Sequence, residues 1–447
     1  MAVMQLPAES LEHIFCFLDG KSFSKVKEVC KSWSAIIKEM QSKRKIWKQF
    51  CLQEIPYYIT AEILFFKTVP HDDAFLNWSL LYKKWYRSRM VMKAPYTFKS
   101  IQTSPKNQSS ITCLKLSGSW IITGHSSGHL CIWNQQTGEL WQRCLCHLKA
   151  IVDIALIDLI NLGSYYGSDD LPWDHHHAIT ISKDTYIQVI SLLERISTDK
   201  INHLNYHGAD LTAIRVFDST FAVSSSDNTV SVWGMKLNRK PFFHLHTTLL
   251  YRIIGPPDIL LNLGLWFDQI QCISYSGKVR AYDRKRDEWS ELACLKNTYV
   301  NATSHKLVTV TKSFIFRNQT AIMFTSDGRM VISVDDKFNN QYYLMRTLQT
   351  LIISVALRGT LLVLGGENGK IYVFYIPETK HLLKLNLSNP SFILRLSEAS
   401  ITSLDIVYSV ESPIILAGTN ESFYVVKWYS AVSSHQEIKK RSLIPNC

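Results

Sequence analysis

The residues best equipped for chemistry in this 447-residue chain are few, and their spacing points away from catalysis. The run Asp174–His177, DHHH, offers three imidazoles beside a carboxylate. Side chains on adjacent residues diverge, and no further Cys or His stands at the spacing that closes a tetrahedral metal site. A solvated inter-strand loop is the better reading, and no metal is expected. Cys144 and Cys146 are the only close pair among ten cysteines. They fall in a strand-like alternation, which suggests packing. The sequence shows no nucleophile elbow, no phosphate-cradling loop and no Cys/His catalytic motif. Neither an enzymatic activity nor a cofactor is expected.

Charge gives the next constraint. The net charge is +12, and residues 1–100 hold 16 Lys/Arg against 9 acidic residues. More than half of the excess therefore sits in the first hundred residues, which suits an acidic partner protein. No Lys/Arg block there is interleaved with aromatics, so nucleic acid is not expected as a ligand. No basic–apolar–small leader opens the chain. The most apolar stretch, Ala150–Gly163, carries Asp153 and Asp158, so no membrane span is expected. Reduced thiols in the cytoplasm or nucleus follow as an expectation. The Asn-x-Ser/Thr sequons, Asn301 among them, carry no weight in that setting.

The elements that must position a function begin with the opening segment, LPAESLEHIFCFLDGKSFSKVKEVCKSWSAI, Leu6 to Ile36. Leu11, Ile14, Phe15 and Leu18 fall at i, i+3, i+4 and i+7, one stripe of a helix that Pro7 can start and Asp19-Gly20 end. A second short helix would carry Val26, Val29 and Cys30, and a third Trp33, Ile36 and Ile37. Ile46, Trp47, Phe50 and Cys51 supply a fourth apolar cluster. From periodicity alone, this bundle either packs its stripe on the rest of the chain or presents it to a partner.

Residue identity separates the two readings. LP-x-E-x-L-x-x-I-F-x-F-L, then V-C-K-x-W, then I-W-x-x-x-C, over Leu6–Leu52, resembles an F-box. Phe23 departs from the leucine usual there. The resemblance implies docking on the Skp adaptor of a cullin–RING ubiquitin ligase. Leu6, Pro7, Leu11, Ile14 and Leu18 would be the exposed apolar contacts, joined in the adaptor site by Phe15, Val29, Cys30 and Trp33. Residues 1–52 would form the F-box domain, 53–92 a helical linker with Trp78, Leu81, Tyr82 and Trp85 on one stripe, and 93–447 a separate β-domain.

That β-domain repeats. SSGHLCIW, KDTYIQVI, SDNTVSVW, YSGKVRAY, SDGRMVIS, ENGKIYVF and TNESFYVV each join a polar turn to an alternating run. They end at Trp133, Ile190, Trp233, Tyr282, Ser333, Phe374 and Val426, with gaps of 41 to 57 residues. Three or four strands at that period make a β-propeller, because a single four-stranded blade cannot cover both its faces. Seven blades are expected, with eight as the alternative. The last unit ends soon after its third strand, and an outer strand at Pro95–Gln102 would close the ring.

The unit SITCLKLSGSWIITGHSSGHLCIWNQQTGELWQ resembles a WD40 repeat, with Gly124-His125 and Trp133 in place. Asn134 and Gly234 stand where the aspartate of the Trp-Asp pair belongs. F-box and propeller together resemble the F-box/WD-repeat family, mainly β with a small helical head. The resemblance implies a substrate-recognition subunit of an SCF ubiquitin ligase, non-catalytic, whose propeller captures a substrate protein. The alternatives are a non-degradative scaffold and a receptor left with few substrates. Family members that take phosphorylated substrates clamp phosphate with arginines. Lys115 and Arg215, in one column of the first strand, are the candidates here for substrate binding. Arg280, Arg329, Arg358 and Arg395 are spread among other units, and ordinary surface arginine is the simpler account for all of them.

Overall fold

The structure, a computed structural model, describes residues 6–43, 46–64, 77–92, 95–103, 109–158, 176–192, 202–205, 207–238, 244–266, 269–295, 308–316, 320–334, 337–409 and 412–428. Asp174, His175, Asn301 and the end of the Ala150–Gly163 stretch lie outside them.

The helical head comprises α1 (Ala8–Phe15), α2 (Gly20–Val26), α3 (Lys31–Lys43), α4 (Ile46–Glu54), α5 (Tyr57–Leu64) and α6 (Trp78–Arg87), followed by a 3-10 turn, Ser88–Met92. The expected first helix is shorter than its stripe. It stops at Phe15, so Leu18 lies beyond its end. Asp19-Gly20 starts a helix rather than ending one: the Asp19 carboxylate accepts from Ser22 N at 2.8 Å, the geometry of an N-cap. That cap holds Asp19 below the usual carboxylate pKa, through its hydrogen bonds to Ser22. Val29 falls in the turn between α2 and α3 rather than in a helix.

Seven four-stranded antiparallel sheets follow. Each of the seven repeat ends falls in the third strand of its blade. The inner strands are Ile111–Ser117, Ile151–Asp158, Leu211–Phe217, Leu260–Trp266, Val310–Phe316, Ile352–Arg358 and Ser403–Tyr408, for blades 1 to 7. In blades 1 to 6 the register slips by one residue just after the first position, for example between Ile111 and Cys113. Such a bulge raises local twist, which a strand crowded at the ring's centre requires. Tyr96–Gln102 pairs with Ser422–Trp428 as the outer strand of blade 7, so the ring closes on a strand from the N-terminal side.

Turn chemistry explains the repeated polar motif. Gly128, Gly277, Gly328 and Gly369 have φ between 71 and 82°, and Asn228 has φ 61° at the same place. A Cβ on Gly128 would sit 1.9 Å from the His147 carbonyl oxygen, so the position admits nothing larger. Buried polar chains then tie the strands. In blade 1, Trp133 Nε1 donates to Thr123 Oγ1 at 3.0 Å, which meets His125 Nε2 at 3.0 Å. Near blade 2, His147 lies 3.0 Å from Asp184 and 2.9 Å from Thr180. In blade 3, His207 joins Thr229 at 2.8 Å and Ser231 at 2.7 Å.

Candidate functional site

Within the head, one core takes Leu11, Phe15, Phe23, Ile37, Met40, Phe50, Trp78, Tyr82 and Trp85 from α1 through α6. All of its members belong to the head. Gly20 is needed for this closure, because a Cβ there would lie 2.6 Å from the Tyr82 ring. Glu54 fixes the same corner, accepting from Gly20 N at 2.7 Å and from the Tyr82 hydroxyl at 2.6 Å. Burial, then that hydrogen bond, pushes the Tyr82 pKa up.

The expected adaptor residues divide between this core and the surface. Leu11 is 4% exposed and Phe15 is 2%, so neither presents a free contact, and the expectation that Leu11 would do so is corrected. Helical geometry gives the reason. Successive residues advance about 100°, so Leu11 and Phe15 lie about 40° apart while Ile14 is about 100° from Phe15. A stripe four residues wide therefore reaches from the core's centre to its margin. Ile14, at that margin, is 47% exposed. Leu6, Pro7 and Val29 are exposed as well. Leu18, Cys30 and Trp33 are half-buried, Trp33 meeting Phe15 edge-on at 5.1 Å.

The arithmetic of the stripe passed over Phe17. It is 81% exposed and stacks on His13 at 5.5 Å, one turn beyond Ile14. A phenylalanine directly after a helix's last turn, three residues from a marginal apolar position, is the signal that would have found it. Leu6, Ile14, Phe17 and Val29 are thus apolar side chains that the head's own core leaves uncovered, as it also leaves Leu52 and Tyr57.

The head is joined to the propeller by buried contacts. Ser88 Oγ donates to Trp85 O at 2.6 Å and meets Thr360 Oγ1, also at 2.6 Å. The Tyr408 hydroxyl accepts from Thr360 N at 2.8 Å and donates to Arg358 O at 2.9 Å. Arg89 lies 4.7 Å over the Trp85 ring and donates to the Tyr375 hydroxyl at 3.1 Å. Thr379 N donates to the Tyr58 hydroxyl at 2.8 Å. Val91 enters the core of blades 6 and 7. In an antiparallel blade the first-to-second and third-to-fourth connections share one face of the ring. Thr360 sits in the former, between Ile352–Arg358 and Leu361–Gly366, and Thr379 follows the third strand. The head therefore docks on that face and leaves the opposite one open. There Leu148, Ile259, Tyr275 and Met345 are exposed.

The candidate substrate residues turn out to be stitches between blades. Lys115 Nζ meets Asp405 of blade 7 at 3.3 Å, and Leu116 N donates to the same carboxylate at 3.0 Å. Arg215 donates to Asp153 of blade 2 at 2.7 Å and to Asn262 of blade 4 at 2.9 Å. Asn262 in turn donates to Ser313 O of blade 5. Lys312 Nζ reaches Ile353 O of blade 6 at 2.9 Å, and burial lowers its pKa. A phosphate clamp built on Lys115 and Arg215 would first have to break these pairs. Arg329 is likewise engaged with Asp327 at 2.6 Å, and Arg395 with Glu398.

Among the described residues no group of three His, Cys, Asp or Glu is arranged to hold a metal ion. Cys144 and Cys146 are buried in one apolar cluster. Their mutual hydrogen bond, with burial, pushes the Cys146 thiol up. No helix among the described residues is long and apolar enough to cross a membrane. A family model described as F-box-like matches residues 3–53. A search of curated proteins returns no match. An F-box-like head on a seven-bladed ring is an architecture that suggests Skp binding and protein interaction.

Proposed function

We propose that this chain is the substrate-recognition subunit of an SCF-type ubiquitin ligase. Residues 1–52 dock on the Skp adaptor and through it on the cullin–RING assembly. Residues 53–92 connect, and residues 93–447 capture a substrate protein on the propeller face opposite the head. The observation that carries this reading is the F-box-like match over residues 3–53 together with exposed Leu6, Ile14, Phe17 and Val29 on a head whose core is already complete. Apolar surface beyond what a small core can bury is kept for another chain.

Such a subunit performs no bond chemistry. It raises the effective concentration of a substrate lysine near the ubiquitin-charged enzyme. The closed joint at Ser88 and Thr360 supports this role, since a stiff connection holds the captured lysine within a restricted volume. The test is reconstitution. Full-length chain mixed with purified Skp–cullin–RING complex elutes as one species and supports ubiquitin transfer to a protein recovered by proximity labelling under proteasome inhibition. Failure to co-elute removes the reading. Co-elution with no ubiquitin transfer leaves a scaffold.

A further inference from the structure

One element of the propeller exceeds what its blade needs. The outer strand of blade 3, His244–Ile254, has 11 residues. The other outer strands have between 4 and 7. Its partner Thr229–Asn238 pairs with the second strand only as far as Gly234, opposite Thr220. The pairing with His244–Ile254 continues to Asn238, opposite His244. Beyond Met235 the sheet is therefore a two-stranded ribbon running past the rest of the blade. A ribbon of two strands is marginal in water and gains its stability from a third strand or a packed face.

The exposed side chains point the same way. Leu250 is 49% exposed and Leu249 is 37%. Leu250 is the extra residue of a bulge opposite Val232 and Trp233, and its side chain lies over Gly234, within 3.2 Å of where a Cβ would stand. Below the bulge, His244–Leu249 pairs in unbroken register and forms a free sheet edge among the described residues. Protected edges carry Lys, Pro or inward charges. His244–Ile254 contains neither Lys nor Pro.

Charge selects the occupant. From Thr229 to Ile254 the sequence holds no Asp or Glu against four Lys/Arg. Lys236 and His246, cross-strand partners, are both exposed, and Arg252 is tied to Asp227 at 3.5 Å. Two such ribbons would repel, so a second copy of this chain is not the occupant.

We propose that this ribbon is a docking edge for an extended partner peptide that alternates apolar and acidic residues. The peptide adds a strand along His244–Leu249, rests the apolar side chains of one face on Leu249, and sets the carboxylates of its other face near Lys236 and His246, beside Leu250. Backbone pairing supplies affinity, and the side pockets supply selectivity. The proposal does not rest on the ligase reading, and its test contains no adaptor.

The probe is a fluorescein-labelled peptide of alternating Val and Glu, about ten residues long so that it spans the strand, titrated with the full chain and followed by anisotropy. A second peptide has the same sequence with alternate amides N-methylated, which removes backbone donors and keeps every side chain. Saturable binding is expected, weakened about tenfold or more by N-methylation and by the Leu249→Asp/Leu250→Asp variant. Both leucines are exposed, so the variant keeps the wild-type thermal transition. Because the pairing is partly ionic, raising salt weakens it severalfold. Equal binding of the methylated peptide, equal binding by the folded variant, or no peptide binding at millimolar concentration overturns the proposal. So does a labelled DNA duplex binding where the peptide does not.

Discussion

If the head docks through the surface its core leaves bare, then charging that surface abolishes docking without unfolding the chain. The perturbation is Ile14→Asp with Phe17→Asp. Ile14 is 47% exposed and Phe17 81%, so docking has about half of one side chain and four-fifths of the other still to bury. Fully burying an Ile or Phe is worth about 1.5–3 kcal/mol, which puts the forfeited apolar term at roughly 2–4 kcal/mol. Two carboxylates facing an apolar partner add a further desolvation penalty of about 1–3 kcal/mol each by mutational measure. The total exceeds about 3 kcal/mol, or more than about a hundredfold in Kd. Folding loses at most about 1 kcal/mol, mostly from negative charge near the C-terminus of α1. The companion variant is Leu11→Ala, on the same helix but 4% exposed within the core. It costs about 2–5 kcal/mol of stability and lowers adaptor binding only through the folded fraction. Titration calorimetry against purified Skp adaptor, paired with thermal melts, separates the two effects. Adaptor affinity within twofold of wild type for the double Asp variant refutes the assignment of this face. Unchanged stability of Leu11→Ala refutes the division of α1 into core and contact residues.

The remaining predictions concern joints and buried polar groups. Ser88→Ala leaves Thr360 Oγ1 without its 2.6 Å partner, so the head should loosen from blade 6 at a cost of about 1–3 kcal/mol, seen as faster proteolysis after Arg87 or Arg89. Arg215→Ala opens contacts to Asp153 and Asn262; both ion-pair members are about a quarter exposed, so the loss is about 1–2 kcal/mol, read as a lower Tm of the propeller. Burial holds the pKa values of His125 and His207 below 6.5, so the unfolded chain takes up protons on acidification before the folded chain does. Stability therefore falls as pH drops from 6.5 toward those depressed values, and His125→Gln/His207→Gln flattens the slope of Tm against pH in that window. Asp184 and Asp227, also held low, contribute stability that is present above about pH 3.8 and is lost only as pH falls below it.

The ring was legible because its repeat is local. A polar turn and an alternating strand recur in every blade, with Gly or Asn at positive φ in the turn of blades 1, 3, 4, 5 and 6, and each such pattern needs only a few adjacent residues to be read. The closing strand at Tyr96–Gln102 was legible from a deficit, a final unit with too few strands. The head was legible as an apolar segment, but not in how its surface divides. Periodicity marks which side of a helix is apolar and is silent on where the core ends, so Leu11 and Ile14 looked alike. The pairing of Lys115 and Arg215 was not legible for another reason: their partners Asp405 and Asp153 are 290 and 62 residues away, and only ring closure brings them together. A column of cations in sequence looks like a ligand clamp whenever its carboxylates arrive from other blades.

Ring closure also bears on how the head is held. The chain leaves the joint at Ser88–Met92, buries Val91 between blades 6 and 7, and enters the closing strand at Tyr96. Head attachment and propeller closure thus share one short segment rather than a free tether. Turning the head would have to extract Val91 and strain the Tyr96–Trp428 end of the strand pair, where Tyr96 also packs edge-on against Phe392 of blade 6 at 4.8 Å. A long flexible linker would dilute a captured substrate over the volume it sweeps. Here the same contacts that seal the ring fix its open face relative to Ile14 and Phe17, so orientation is inherited from folding rather than set by binding.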